Sequence, residues 1–198
     1  METTDYCFSF FRKPIQNIKP IRAVGIVDVY RYIIGHYAQP QTEALRLMLS
    51  SSEAKRYKAT HFDYCTFSGL FRKRNEKELI IHSGLMCLDF DHVDNIGELK
   101  QQLLNHEYFD TELLFVSPSG NGLKWIIPVD LKGWEHSRYF KAVANCIKAT
   151  GLPLVDMSGS DVARSCFLSY DPQAFINHKY KDDVEENIFR PRLGECPF

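Results

Sequence analysis

The sequence contains no uninterrupted apolar run of membrane-spanning length, and its first residues lack the basic-then-apolar layout of a secretory leader. A cytoplasmic protein that does not enter the membrane is the expectation. Cys-x-x-Cys is also missing. Cys7, Cys65, Cys87, Cys146, Cys166 and Cys196 are scattered, which argues against a secreted disulfide framework and a zinc site and for reduced thiols. No Gly-x-x-x-x-Gly-Lys-[Ser/Thr] loop, Gly-x-Ser-x-Gly elbow or His-Glu-x-x-His helix occurs, so P-loop, serine hydrolase and zincin readings fall away. There is no internal repeat and no low-complexity block. Neither sign of charge is in excess: the formal net charge of −1 excludes a uniformly basic coat for nucleic acid.

What is present is enough apolar material for one substantial core. Hydrophobic residues make up 44% and aromatics 13% of 198 residues, which excludes wholesale disorder. Charge is also unevenly distributed. Between positions 55 and 74, Lys55, Arg56, Lys58, Arg72, Lys73 and Arg74 face only Asp63, with Tyr57, Tyr64, Phe67 and Phe71 interleaved. Such a mixture suits a surface that tracks a phosphate backbone and stacks on bases, and equally a solvated helix end followed by a hairpin turn.

The stretch 84–91, Gly-Leu-Met-Cys-Leu-Asp-Phe-Asp, is apolar and strand-like and ends in two carboxylates one residue apart. Strand periodicity puts Asp89 and Asp91 on one face, a platform of hard oxygen ligands suited to Mg²⁺ or Mn²⁺. Upstream, residues 6–11 have strand propensity, Pro14 and Pro20 interrupt the chain, and 27–37 is ambiguous between strand and helix. Leu45, Met48 and Leu49 predict a helix over about 42–57, and 64–71 and 79–82 read as strands joined by a polar turn.

Downstream, Asn95 with Glu98 three residues on marks the start of a helix ending near His106. Residues 113–116 and 123–129 read as a hairpin around the turn Ser117-Pro118-Ser119-Gly120-Asn121-Gly122. Tyr139, Phe140, Val143 and Ile147 mark a second helix with Gly151 beyond its end, and 153–156 and 164–169 supply further strand material. The order strand, helix, strand, strand, helix, strand is the split βαβ, ferredoxin/RRM-like order. The expected fold is therefore α+β: a core over 84–169, an N-terminal α/β unit over 1–83, one domain through 180, and a tail or linker over 181–198. In that arrangement the first core strand lies between the third and fourth, with helices on one side and the other side open.

Three polar clusters then converge. The 117–122 turn and Lys124 could offer backbone N–H groups and an ammonium to a triphosphate, or form an ordinary hairpin. Asp156 or Asp161 could supply a third carboxylate with Arg164 beside it, or these could be a turn cap and a surface pair. His82 and His92 flank the carboxylate strand and are assigned no chemistry.

Taken together, Leu88-Asp89-Phe90-Asp91, the Ser117–Lys124 run and Val155-Asp156 with Asp161-Val162-Ala163-Arg164 resemble, in order and spacing, three motifs of the archaeo-eukaryotic primase (primase-polymerase) superfamily. Thr66-Phe67-Ser68-Gly69-Leu70-Phe71, Ser83-Gly84-Leu85 and Cys166-Phe167-Leu168-Ser169-Tyr170-Asp171-Pro172 resemble the VirE N-terminal domain family. The resemblance covers roughly 55–175. It implies a template-dependent nucleotidyltransferase of DNA replication or mobile-element maintenance. Asp89, Asp91 and Asp156 (Asp161 as alternative) would hold Mg²⁺ or Mn²⁺. Ser119, Gly120, Gly122, Lys124 and Arg164 would contact an NTP or dNTP, and Arg72, Lys73 and Arg74 a single-stranded DNA template. A VirE-type P-loop helicase is the implied partner.

Lys124 stands where the superfamily's second motif usually has histidine. A lysine neutralises phosphate charge but is a poor proton-transfer group at neutral pH. The alternative class is a single-stranded-DNA-binding accessory domain without turnover. A Toprim-like site also uses Asp-x-Asp, but no strand-terminal glutamate lies upstream to serve it.

Overall fold

The computed structural model describes residues 6–185. β1 (Phe8–Phe11) pairs antiparallel with β2 (Arg22–Val24), Phe8 opposite Val24. The ambiguous stretch that follows is α1 (Ile26–Ile34), because Ile26, Val29 and Ile33 fall on one buried face and Asp28 accepts the Gly25 N–H at 2.9 Å. The single helix expected over 42–57 is two, α2 (Gln39–Arg46) and α3 (Ser51–His61). Of the residues that suggested it, only Leu45 is buried, while Leu47 and Leu49 are exposed in the break and Ser50 caps the second helix.

β3 (Tyr64–Thr66), β4 (Gly69–Phe71) and β5 (Leu79–His82) come next, followed by β6 (Leu85–Phe90), which carries the carboxylates. α4 (Ile96–Leu104) begins where Asn95 Oδ1 accepts the Glu98 N–H at 3.1 Å. β7 (Leu113–Val116) and β8 (Leu123–Pro128) form the expected hairpin, and α5 (His136–Ala149) the second long helix. β9 (Cys166–Phe167), β10 (Phe175–Ile176) and the short α6 (Lys181–Glu185) complete the chain. The tail expected over 181–198 thus begins as a helix, and its remainder, with Cys196, lies outside the described residues. Cys65, Cys87, Cys146 and Cys166 are free thiols. No helix among the described residues is long and apolar enough to cross a membrane.

The architecture is α+β, with six α-helices among the described residues. One antiparallel sheet has the order β2-β1-β3-β9, a second β10-β7-β8-β6, and β4-β5 is a separate hairpin. Alternation along β6 feeds two cores. Met86, Leu88 and Phe90 pack with Leu99 and Leu103 of α4 and Phe140, Val143 and Ile147 of α5. Leu85 joins Leu113, Phe115 and Ile126 against Phe8, Phe10 and Phe67 of the N-terminal unit. The face expected to be open is therefore largely covered by the first sheet.

The strand order differs from expectation at one edge. Among the described residues β6 ends the ladder, paired only with β8, and 153–156 is not a strand. A backbone bond, Asp156 N–H to the Asp89 carbonyl at 2.8 Å, holds that segment along the free side of β6. Residues 166–167 pair with β3 in the other sheet, Cys65 opposite Cys166, so the end of the 84–169 segment completes the N-terminal sheet.

Candidate metal and phosphate site

Asp89 and Asp91 leave the end of β6 on one face, and the Asp156 segment bonded alongside adds a third carboxylate. One oxygen from each of Asp89, Asp91 and Asp156 lies within 4.8 Å of the others. Asp89 stands opposite Lys124 in the β6–β8 register, and Lys124 Nζ is ion-paired with Asp89 Oδ2, the two side chains only 13% and 16% exposed. Asp89 Oδ1 is buried and has no hydrogen-bond partner. A buried carboxylate oxygen without a donor, next to two further carboxylates, fits a hard cation better than it fits a closed polar network.

Asp156 is oriented by its own turn. Ser158 donates its N–H to Oδ1 at 2.9 Å and its hydroxyl to Oδ2 at 2.5 Å, and Arg164 donates to Oδ2 at 3.4 Å. Burial works to raise this carboxyl, but the Ser158 bonds and the charges of Arg164 and Lys124 outweigh it and hold the pKa below the ordinary value. Asp161, the other carboxylate left open by the sequence, is exposed, accepts the Ala163 N–H at 2.8 Å and stands outside the cluster.

A small cleft runs inward from these groups, lined by Asp89, Lys124 and Arg164 with Phe67, Ser68, Cys87, Ser158 and Cys166. Burial lowers the Lys124 pKa, the neighbouring charges of Lys58 and Arg164 push the same way, and the thiols of Cys166 and Cys87 oppose it. Lys58 belongs to the basic stretch of the sequence, but its closeness to Lys124 depends on α3 docking beside β9 and has no local sequence signal.

Behind the Asp156 turn lies a chain of two histidines. Gly84 N–H donates to His82 Nδ1 at 3.1 Å, which leaves the His82 proton on Nε2, directed at His136 Nδ1 at 3.1 Å. His136 Nε2 then donates to the Gly159 carbonyl at 3.1 Å. Both rings are neutral in this arrangement. Burial lowers the His82 pKa, helped by His136, to about 4; it also lowers that of His136 against the opposing influence of Gly159 and Asp161. A Cβ at Gly159 would fall 2.5 Å from the Phe140 ring, so the turn sits directly on α5.

The 117–122 turn closes on itself. Ser117 N–H donates to the Gly122 carbonyl at 2.8 Å and Gly120 N–H to the Ser117 carbonyl at 2.9 Å, so the Gly120 amide is committed within the hairpin. Arg46 of α2 braces it from outside, donating to the carbonyls of Pro118 and Ser117, each at 3.3 Å. Gly120 has φ +82° and lies against Arg46, while a Cβ at Gly122 would overlap the Phe90 carbonyl oxygen. Ser119 is exposed at the tip. Of the residues expected to touch a triphosphate, Lys124 and Arg164 line the cleft and Ser119, Gly120 and Gly122 do not.

The basic turn divides in the same way. Arg72 and Lys73 are exposed, whereas Arg74 donates to Tyr64 Oη at 3.2 Å and to the Ile15 carbonyl at 3.3 Å, with its guanidinium 5.4 Å from the Tyr64 ring centre. Arg74 braces the loop that joins β1 to β2.

Compared with known protein families, residues 56–175 match the model described as BT4734-like, N-terminal domain. The chain belongs to that family. This overturns the assignment to the VirE N-terminal domain and the primase-polymerase superfamily, since the model that matches the same stretch is a different one. The VirE-type helicase partner rested on that assignment alone and goes with it. No curated protein and no solved structure matches. The matched stretch of this BT4734-like domain begins in α3 and contains all three carboxylates, Lys58, Lys124 and Arg164.

Proposed function

We propose that this domain binds Mg²⁺ or Mn²⁺ through Asp89, Asp91 and Asp156 and carries out nucleotidyl transfer from an NTP or dNTP on a single-stranded DNA template. The observation that carries the reading is the meeting of three carboxylates from distant parts of the chain around the unpartnered Asp89 Oδ1. The cleft adds cationic Lys124 and Arg164, a mixture that suits a metal-bound phosphate chain rather than a neutral ligand. The order β6, α4, β7, β8, α5, with the 153–156 segment bonded to β6 in place of a fourth strand, supports a split βαβ, ferredoxin-like relationship.

Divalent ions held by such carboxylates neutralise phosphate oxygens and favour the ionised form of an attacking hydroxyl. The protein's own groups divide the remaining work. Asp156 stays ionised and fixed through Ser158, Arg164 lies at the exposed rim beside it, and Lys124 contributes positive charge from the wall. No proton transfer is assigned to Lys124, since a lysine is a poor proton-transfer group at neutral pH. The exposed Arg72 and Lys73 are the proposed template contacts.

The test is Mn²⁺-dependent incorporation of labelled NTP or dNTP on single-stranded template by the wild type, Asp89→Asn and Asp91→Asn. Incorporation by the wild type alone is expected, and equal incorporation by all three removes the site. The Lys124–Asp89 pair favours one second reading, a domain that binds single-stranded DNA without turnover because a lysine already occupies a carboxylate. Retardation of DNA without incorporation by any protein is its signature.

A further inference from the structure

Two positive groups are paired with the carboxylates, and a third, Lys58, stands beside the strand that lines the cleft. Lys124 is paired with Asp89 and Arg164 with Asp156. Lys58, half-buried on α3, makes no ion pair among the described residues; its ammonium lies 6.0 Å from the Phe167 ring, on the strand that also brings Cys166 to the cleft. Its charge and that of Arg164 both act on Lys124. Like charges gathered at a half-buried site repel, and here the three neighbouring carboxylates offset that repulsion.

The carboxylates and cations balance as they stand. Entry of a divalent ion changes this: the ion needs Asp89, which frees Lys124, and the region gains two positive charges at once. We infer that the Lys124–Asp89 ion pair is the resting state of a cation-exchange site, in which a divalent ion displaces Lys124 from Asp89. The freed Lys124 then joins Lys58 and Arg164 on the polyphosphate chain that arrives with the ion. The inference rests on the metal-site reading above and adds Lys58 as a phosphate-binding residue. It also makes bare-ion binding and ion-polyphosphate binding respond oppositely to Lys124, since a lysine that competes with a free ion assists a phosphate-bearing one.

The experiment measures binding of Mn²⁺ alone, from the loss of the free-ion EPR signal, and of the one-to-one Mn²⁺–tripolyphosphate complex, by calorimetry. The proteins are the wild type, Lys124→Met, Lys58→Met and Asp89→Asn. Lys124→Met is expected to bind Mn²⁺ alone about tenfold more tightly and the complex about tenfold more weakly, the scale of one charge-assisted hydrogen bond. Lys58→Met, with its urea midpoint checked against the wild type, is expected to tighten Mn²⁺ alone by less than Lys124→Met does and to weaken the complex by about tenfold. The proposal is overturned if Lys124→Met does not gain affinity for the bare ion, or if Lys58→Met holds the complex as the wild type does. Failure of the underlying metal reading looks different: wild type and Asp89→Asn then bind Mn²⁺ equally weakly.

Discussion

Asp156 donates its backbone N–H to the Asp89 carbonyl at 2.8 Å, and this bond sets the third carboxylate beside the first two. It takes the place of the fourth strand expected along β6. A paired strand would fix the segment over several residues; one bond leaves the short turn 157–160 to aim the Asp156 side chain, which it does through Ser158.

Asp156 and Asp161 should therefore separate cleanly. Asp156→Asn is expected to weaken Mn²⁺ binding by more than about tenfold, the lower end of what losing even an outer partner of a metal ligand costs. Asp161→Asn keeps an oxygen to accept the Ala163 N–H and is expected to leave Mn²⁺ affinity and the urea midpoint unchanged. Titration of both variants with Mn²⁺ checks this, and an equal loss in the two would put the ion elsewhere.

The histidine chain predicts a dependence on pH. His82 has a folded pKa of about 4, below the unfolded value of about 6.5, so the unfolded chain binds more protons between them. Its contribution to stability is complete above about pH 6.5 and is lost as pH falls toward 4. With His82 part-exposed, solvent screening reduces the effect to about 1 kcal/mol between pH 7 and 5. Urea unfolding at the two pH values should show that loss in the wild type and a smaller one in His82→Gln, which keeps a donor toward His136 but does not titrate.

What could be read from the chain and what could not follow from how local each signal is. Asn95 with Glu98, and the hairpin around 117–122, are short-range patterns and stand as the sequence suggested. The nearness of Asp89 and Asp91 needed only strand periodicity. Leu45, Met48 and Leu49 misled because spacing records where apolar residues could face one way, whereas Leu47 and Leu49 were left in solvent by a break between helices. The Arg46 brace on Pro118, the His82–His136 hydrogen bond and the pairing of β9 with β3 join residues more than fifty positions apart. No windowed pattern carries such information, and so the covering of the supposedly open sheet face was missed.

Gly122 shows how tightly β8 is set against the end of β6. A methyl group there would overlap the Phe90 carbonyl oxygen, where β8 begins beside the end of β6. Gly122→Ala is expected to cost about 1–3 kcal/mol, as overpacking does, and to spread the strands between which Asp89 meets Lys124. The urea midpoint reads the first effect. Mn²⁺ affinity reads the second, and a variant as stable as the wild type would show that the strands yield there without cost.

Arg72, Lys73 and Arg74 are adjacent in sequence but should behave as two kinds of residue. Arg74 is held by Tyr64 and the Ile15 carbonyl, so Arg74→Ala removes charge-assisted bonds and should lower stability by about 1.5–3 kcal/mol. Arg72 and Lys73 are exposed, and the double change to alanine should stay within about 0.5 kcal/mol of the wild type. If those two side chains meet a template, the double variant binds single-stranded DNA more weakly, and the slope of log affinity against log salt shallows by about 0.7 for each phosphate that is no longer neutralised. Fluorescence anisotropy with a labelled oligonucleotide at several salt concentrations measures that slope. An unchanged slope would remove the turn from the DNA surface and leave Arg74's bracing as its role.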